Sequence, residues 1–85
     1  HANTFFDDPT RIFRVFRYAG RFGFAIDRWT MNLIRVAVDK GAWNAITINR
    51  YFNELKLVCS EPLAGAILKL LSRNNVLKRH RFGRG

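Results

Sequence analysis

Phe6-Asp7-Asp8-Pro9-Thr10-Arg11-Ile12-Phe13-Arg14-Val15-Phe16-Arg17-Tyr18-Ala19-Gly20-Arg21-Phe22-Gly23-Phe24 is the stretch from which the fold is read. Asp8 followed by Pro9 predicts a helix start, because aspartate accepts from the free amides of a first turn while proline tolerates a position that needs no donor. At 100° per residue, Ile12, Val15, Phe16, Ala19 and Phe22 fall on one side of that helix. Arg11, Arg14, Arg17, Tyr18 and Arg21 fall on the other. The first face is expected to pack and the second to remain free. Gly23 supplies a left-handed stop, Phe24 and Ile26 offer apolar anchors, and Asp27 opens the next helix.

Working outward, Trp29, Leu33, Val36 and Ala37 recur at helical spacing from about Arg28 to Asp39, with Ile34 and Val38 widening the stripe and Gly41 as the stop. Thr47 caps a third predicted helix to about Cys59, whose inner side carries Ile48, Tyr51, Phe52, Leu55 and Val58 and whose outer side carries Arg50 and Lys56. Ser60-Glu61-Pro62 repeats the cap-then-proline pattern before a fourth helix with Leu63, Ala66, Ile67, Leu70 and Leu71, ending near Asn74-Asn75. No segment shows a period-2 strand. The fold class is therefore all-α, a compact bundle of about four short helices over residues 1–77, followed by a basic tail over 78–85 that is either a loose end or the start of a further element.

Eighty-five residues suffice for one domain with one modest core. The first residue is His1, with neither a charged region nor an apolar run after it, so the chain reads as an internal piece of a longer protein. A formal charge of +9 and an isoelectric point near 11.2 call for a polyanionic partner, either RNA, nucleotide phosphate or an acidic surface. The single cysteine, Cys59, excludes an internal disulfide and suits a reducing, cytoplasmic setting, where it is expected as a small buried hydrophobe. No apolar run approaches the roughly 18 to 20 residues of a membrane span. The two histidines and the cysteine lie too far apart in sequence to suggest a metal site. Trp29 and Trp43 are expected in the core or an interface, and His80 in solvent.

The 6–24 stretch resembles the motif [E/D]-D-P-x-R-x-x-R-x-x-R-[F/Y]-A-x-x-x-G-[F/Y] of class II CCA-adding enzymes and bacterial poly(A) polymerases, the tRNA nucleotidyltransferase family. Ile48-Asn49-Arg50-Tyr51-Phe52-Asn53-Glu54-Leu55 is more weakly similar to the family's R-I-x-x-E-L helix, as is Pro62 to Leu77 to its following helix and turn. The resemblance implies a neck domain of a larger enzyme in which Asp8 and Arg11 read the incoming base of ATP or CTP. Asp7 becomes their acidic partner, and Arg50 and Glu54 brace the helix turn beneath them. It also implies a separate catalytic head carrying Mg2+ on its carboxylates, tRNA 3′ ends as the RNA partner, and no catalytic residue or bound cofactor in this segment.

The spacing is compatible with such a role. Residues three apart at a helix start lie on nearly one face, so a carboxylate acceptor and a guanidinium donor can address one base edge. Cytosine and adenine each pair an amine donor with an adjacent ring-nitrogen acceptor, while uracil and guanine present a carbonyl and a ring N–H there. The plainer alternative is that Asp8 is only a cap and Arg11 only a solvated residue. Arg14, Arg17 and Arg21 are candidates for triphosphate or RNA phosphates, or else form a solvated or interdomain face. Arg50 and Glu54, four apart on one helix, form by default a surface ion pair. Addition of CCA, addition of A or poly(A), and a non-enzymatic basic helical module that binds nucleic acid remain the competing readings.

Overall fold

The computed structural model describes residues 4–74, 76 and 77, so the tail 78–85, His80 within it, and Asn75 lie outside the described residues. The described residues are all-α, as predicted, although they hold five α-helices rather than about four. They are α1 (Thr4–Asp7), α2 (Thr10–Phe22), α3 (Arg28–Asp39), α4 (Ile48–Cys59) and α5 (Ala64–Arg73), with a 3-10 turn at Ala42–Ala45 between α3 and α4. Among the described residues no helix is long and apolar enough to cross a membrane.

Local chemistry sets most boundaries. Gly23 and Gly41 end α2 and α3 at φ of 71° and 83°, in the left-handed region that a side chain disfavours. Asp27 accepts from the Thr30 amide at 3.0 Å, and Thr47 accepts from the Arg50 amide at 3.2 Å, so both predicted caps are in place. The start of α2 is shifted by one residue. Pro9 occupies the cap position, and Asp8, just outside, accepts from the Thr10 amide two residues on. Ser60 does not cap α5. Its hydroxyl donates back to the Lys56 carbonyl, and α5 starts only after Leu63, without a side-chain cap.

The core is built around α2. Ile12, Phe13 and Phe16 form one buried cluster with Ile34 and Ala37 of α3, Val58 of α4, and Ile67 and Leu71 of α5, and Ala19 is buried as well. Phe13, Trp43 and Tyr51 form a mutual aromatic trio with centroids 5.2 to 5.3 Å apart, tilted or edge-on as the ring quadrupoles prefer. Trp43 is thus a core residue, delivered by the 3-10 turn. Against Ile67, α2 approaches so closely that only Gly20 fits at the crossing.

Several apolar positions turn outward instead. Trp29 is 70% exposed and Val36 is exposed, while Ile34 and Ala37 face the core, so α3 is rotated from the expected stripe. Two helical stripes coexist on α3, and packing against α1 and the 3-10 turn selects between them. Since α1 was not anticipated, neither was that choice. Ile48 and Phe52 of α4, Phe22 of α2 and Leu63 are also exposed, as is Cys59, which is not the buried hydrophobe its type suggested.

Candidate nucleotide and RNA interface

The start of α2 gathers the residues singled out by sequence. Asp8 Oδ1 accepts from the Thr10 amide at 3.2 Å, from the Thr10 hydroxyl at 2.5 Å, and from Arg50 Nη2 at 3.4 Å. These bonds, the Thr10 hydroxyl foremost, together with the positive charge of Arg50 and Arg14, hold the Asp8 carboxyl below the usual carboxylate range against the opposing effect of its partial burial. All three bonds fall on one oxygen. Among the described residues Oδ2 has no hydrogen bond, so the carboxylate fixes the helix start with one oxygen and presents the other. Thr10 is itself buried, which fixes its hydroxyl in place.

Arg11 is exposed, and its Nη1 donates to the Thr4 hydroxyl at 2.6 Å and more weakly to the Thr4 carbonyl at 3.4 Å. It is tethered to α1 rather than to Asp8. A guanidinium has five N–H donors, so its remaining edge is still available. Asp7 is exposed, with no side-chain hydrogen bond among the described residues. Arg14 projects into solvent one turn farther along α2, close enough for its charge to act on Asp8.

Two expectations about side-chain partners are corrected. Arg50 does not pair with Glu54 on its own helix; it crosses to Asp8, 42 residues away in sequence. The carboxylate of Asp8 lies over the N-terminal end of α4, where Arg50 extends toward it, while Glu54 turns inward and leaves a buried Oε1 with no hydrogen bond among the described residues. Arg17 and Arg21, placed with Arg14 on a free cationic face, converge instead on Glu61. Arg21 Nε donates to Glu61 Oε1 at 2.9 Å and its Nη2 to Oε2, the two-pronged geometry that suits a guanidinium and a carboxylate. Arg17 Nε stands 3.8 Å from Oε2.

Glu61 is the residue that sequence reasoning missed. Its side chain is 3% exposed, and the Arg21 hydrogen bonds hold its carboxyl below the ordinary range while raising Arg21 above its own. A signal did exist: it is one of only six acidic residues in a chain of +9 charge, and it sits in a turn beside proline. Two guanidinia against one carboxylate leave a net positive charge at this end of α2.

No protein-family model matches the chain. An A-adding tRNA nucleotidyltransferase of Aquifex aeolicus is 37% identical over 78 residues, 92% of this chain and 10% of that relative. Two solved structures, a CCA-adding enzyme in complex with ATP and one in complex with CTP, superpose at TM-scores of 0.86, each 33% identical over 92% of this chain and 19% of the solved one. Over most of its length the chain is thus similar to a segment of tRNA nucleotidyltransferases and CCA-adding enzymes. It spans about a tenth of its curated relative and about a fifth of the solved chains. Its all-helical fold matches the helical neck region of CCA-adding enzymes.

Proposed function

We propose that the segment is the nucleotide-selecting and RNA-binding neck of an enzyme that completes tRNA 3′ ends with CCA from CTP and ATP. The observation that carries this reading is the divided use of Asp8. Thr10 and Arg50 lock Oδ1, and Oδ2 is left to accept the exocyclic amine of cytosine or adenine. Arg11, on the next turn-equivalent position, donates to the adjacent ring nitrogen through the edge not engaged by Thr4. Uracil and guanine would set a carbonyl against Oδ2 and a ring N–H against Arg11, leaving both protein groups unpaired. Mismatches of that kind support discrimination of about 10⁴-fold or more in a water-poor site. Arg50 is then a positioning residue that orients the carboxylate, Asp7 adds negative charge beside it, and Arg14 meets phosphate.

No chemical step is assigned to this segment. Nucleotidyl transfer by a two-metal route needs clustered acidic ligands. Among the described residues no group of three or more His, Cys, Asp or Glu side chains is arranged to hold a metal. In this reading Mg2+ and its carboxylates are supplied by a head domain of the full-length protein, and the segment by itself is expected to be inactive.

The test uses the full-length protein with tRNAs lacking one, two or three terminal nucleotides. Asp8→Ala and Arg11→Ala are each expected to degrade the preference for CTP and ATP over UTP and GTP by at least tenfold. Unchanged selectivity in both variants would refute base reading by this pair. A second reading, addition of A alone, is favoured by the name of the Aquifex relative. Addition of C before A on the shortest tRNA supports CCA synthesis, and A without C supports the second reading.

A further inference from the structure

The exposed face of α2 carries more than cations. Tyr18 and Phe22, four residues apart, stack at 6.2 Å between centroids, and they remain 39% and 67% exposed. The guanidinium of Arg21 lies over both rings, 5.8 Å from Tyr18 and 5.9 Å from Phe22, while Arg17 lies 5.3 Å from the Tyr18 ring. Arg21 is not a loose side chain. Its two hydrogen bonds to the buried Glu61 hold the guanidinium where it lies over the two rings. Paired exposed aromatics at the C-terminal end of a helix are a liability to a lone domain. Here a buried carboxylate on another turn, 40 residues away, holds the cation that lies over them.

At 1.5 Å rise per residue, Tyr18 lies about 10 Å and Phe22 about 16 Å along α2 from Arg11. Arg14 stands between the base-reading end and the aromatic pair. Cations and rings therefore share one surface strip, with Arg11 and Arg14 first, then Tyr18, then Arg21 with Phe22. Charge complementarity names the occupant. The strip keeps net positive charge after Glu61 is counted, it offers π-faces, and it has no acidic side chain of its own, the combination by which proteins hold single-stranded nucleic acid without reading its sequence. The geometry points to Tyr18 and Phe22 as a stacking platform for the unpaired 3′ end of the RNA, with Arg14 and Arg21 on its phosphates. Glu61 and Arg17 are positioning residues for that platform. This rests on the reading of the segment as an RNA-binding neck and adds to it the residues that hold the RNA rather than the nucleotide.

The experiment measures binding of the full-length protein to tRNA lacking its terminal A and carrying 2-aminopurine at its 3′ end, without nucleotide. The wild type is expected to quench the probe by stacking. Tyr18→Leu and Phe22→Leu keep an apolar side chain but remove the π-face. Each is expected to relieve quenching and weaken binding about fivefold or more, while Tyr18→Phe retains both. Arg14→Gln should lower the salt dependence by about one ion with quenching preserved at saturation. Unchanged affinity and quenching in both leucine variants would overturn the platform and mean that another part of the protein covers this face. If the leucine variants do not fold, photocrosslinking of a 3′-terminal 4-thiouridine to the wild type decides: adducts at residues 18–22 support the platform, and adducts confined elsewhere overturn it. Unaltered CTP and ATP selectivity in Asp8→Ala and Arg11→Ala would defeat the base reader alone, whereas absence of any RNA binding by the wild type would defeat both.

Discussion

The Asp8 carboxylate joins local structure to selectivity because its two oxygens have different duties. Thr10 supplies the largest effect on its proton affinity, through a hydroxyl that is buried and cannot be replaced by water. Thr10→Val keeps the shape and removes that donor. We expect the Asp8 carboxyl to move up toward the ordinary aspartate value near 3.9 in a carboxyl NMR titration, and stability to fall by about 1 to 2 kcal/mol in denaturant unfolding. The sign follows from the depressed folded value: Asp8 contributes stability above the unfolded aspartate value and loses it as pH falls through its own lower one. In Thr10→Val that contribution is smaller, and its loss is complete at a higher pH. Arg50→Ala removes a tether and not the acceptor. It should therefore reduce base selectivity less than Asp8→Ala, as measured by the ratio of CTP to UTP incorporation.

Among the elements, α2 and α5 depend on one glycine. A methyl group at position 20 would stand 2.8 Å from Ile67 Cδ1 and closer still to Cγ1, and Ile67 is fully buried with nowhere to turn. Gly20→Ala gains about 1 kcal/mol of helix propensity, but overpacking of a closed core costs about 1 to 3 kcal/mol. Net destabilisation near 1 kcal/mol is expected in urea unfolding, and Gly20→Ala with Ile67→Ala should cost less than the two changes summed, since the second removes both clashing carbons and the first fills part of the space they leave. Legibility in the sequence divides along the same line between near and far. Asp27, Thr47, Gly23 and Gly41 were readable because a cap or a left-handed stop is settled within four residues. The rotation of α3 was not, because Trp29 and Ile34 sit on two equally helical stripes and only α1 and the 3-10 turn choose between them. At the candidate site, Asp8, Arg11 and Arg14 were legible from one helix start. The partners of Arg50 and Arg21 were not, since each lies about forty residues away and no periodicity reports it.

For the whole molecule, acid is the informative stress. Asp8, Asp27 and Glu61 all have carboxyls held low, by Thr10, Thr30 and Arg21 respectively. Stability should thus hold from neutrality down to the ordinary carboxylate region near pH 4 and fall below it, as these groups take up protons more readily in the unfolded chain. Glu61→Gln should lower the neutral plateau and flatten the acid limb, seen as a denaturation midpoint that varies less between pH 5 and 2. A steeper limb would contradict the role given to Glu61. One further consequence follows from where the polar ties run. Asp8 to Arg50, Arg21 to Glu61 and Arg35 to Asn74 each span about forty residues, and all three pass over the 3-10 turn. A single nick between the exposed Asn44 and Ala45 would therefore sever none of them; it would turn them into contacts between two peptides. The halves carrying α1–α3 and α4–α5 should co-purify and reassemble on mixing, with a melting temperature that climbs with concentration.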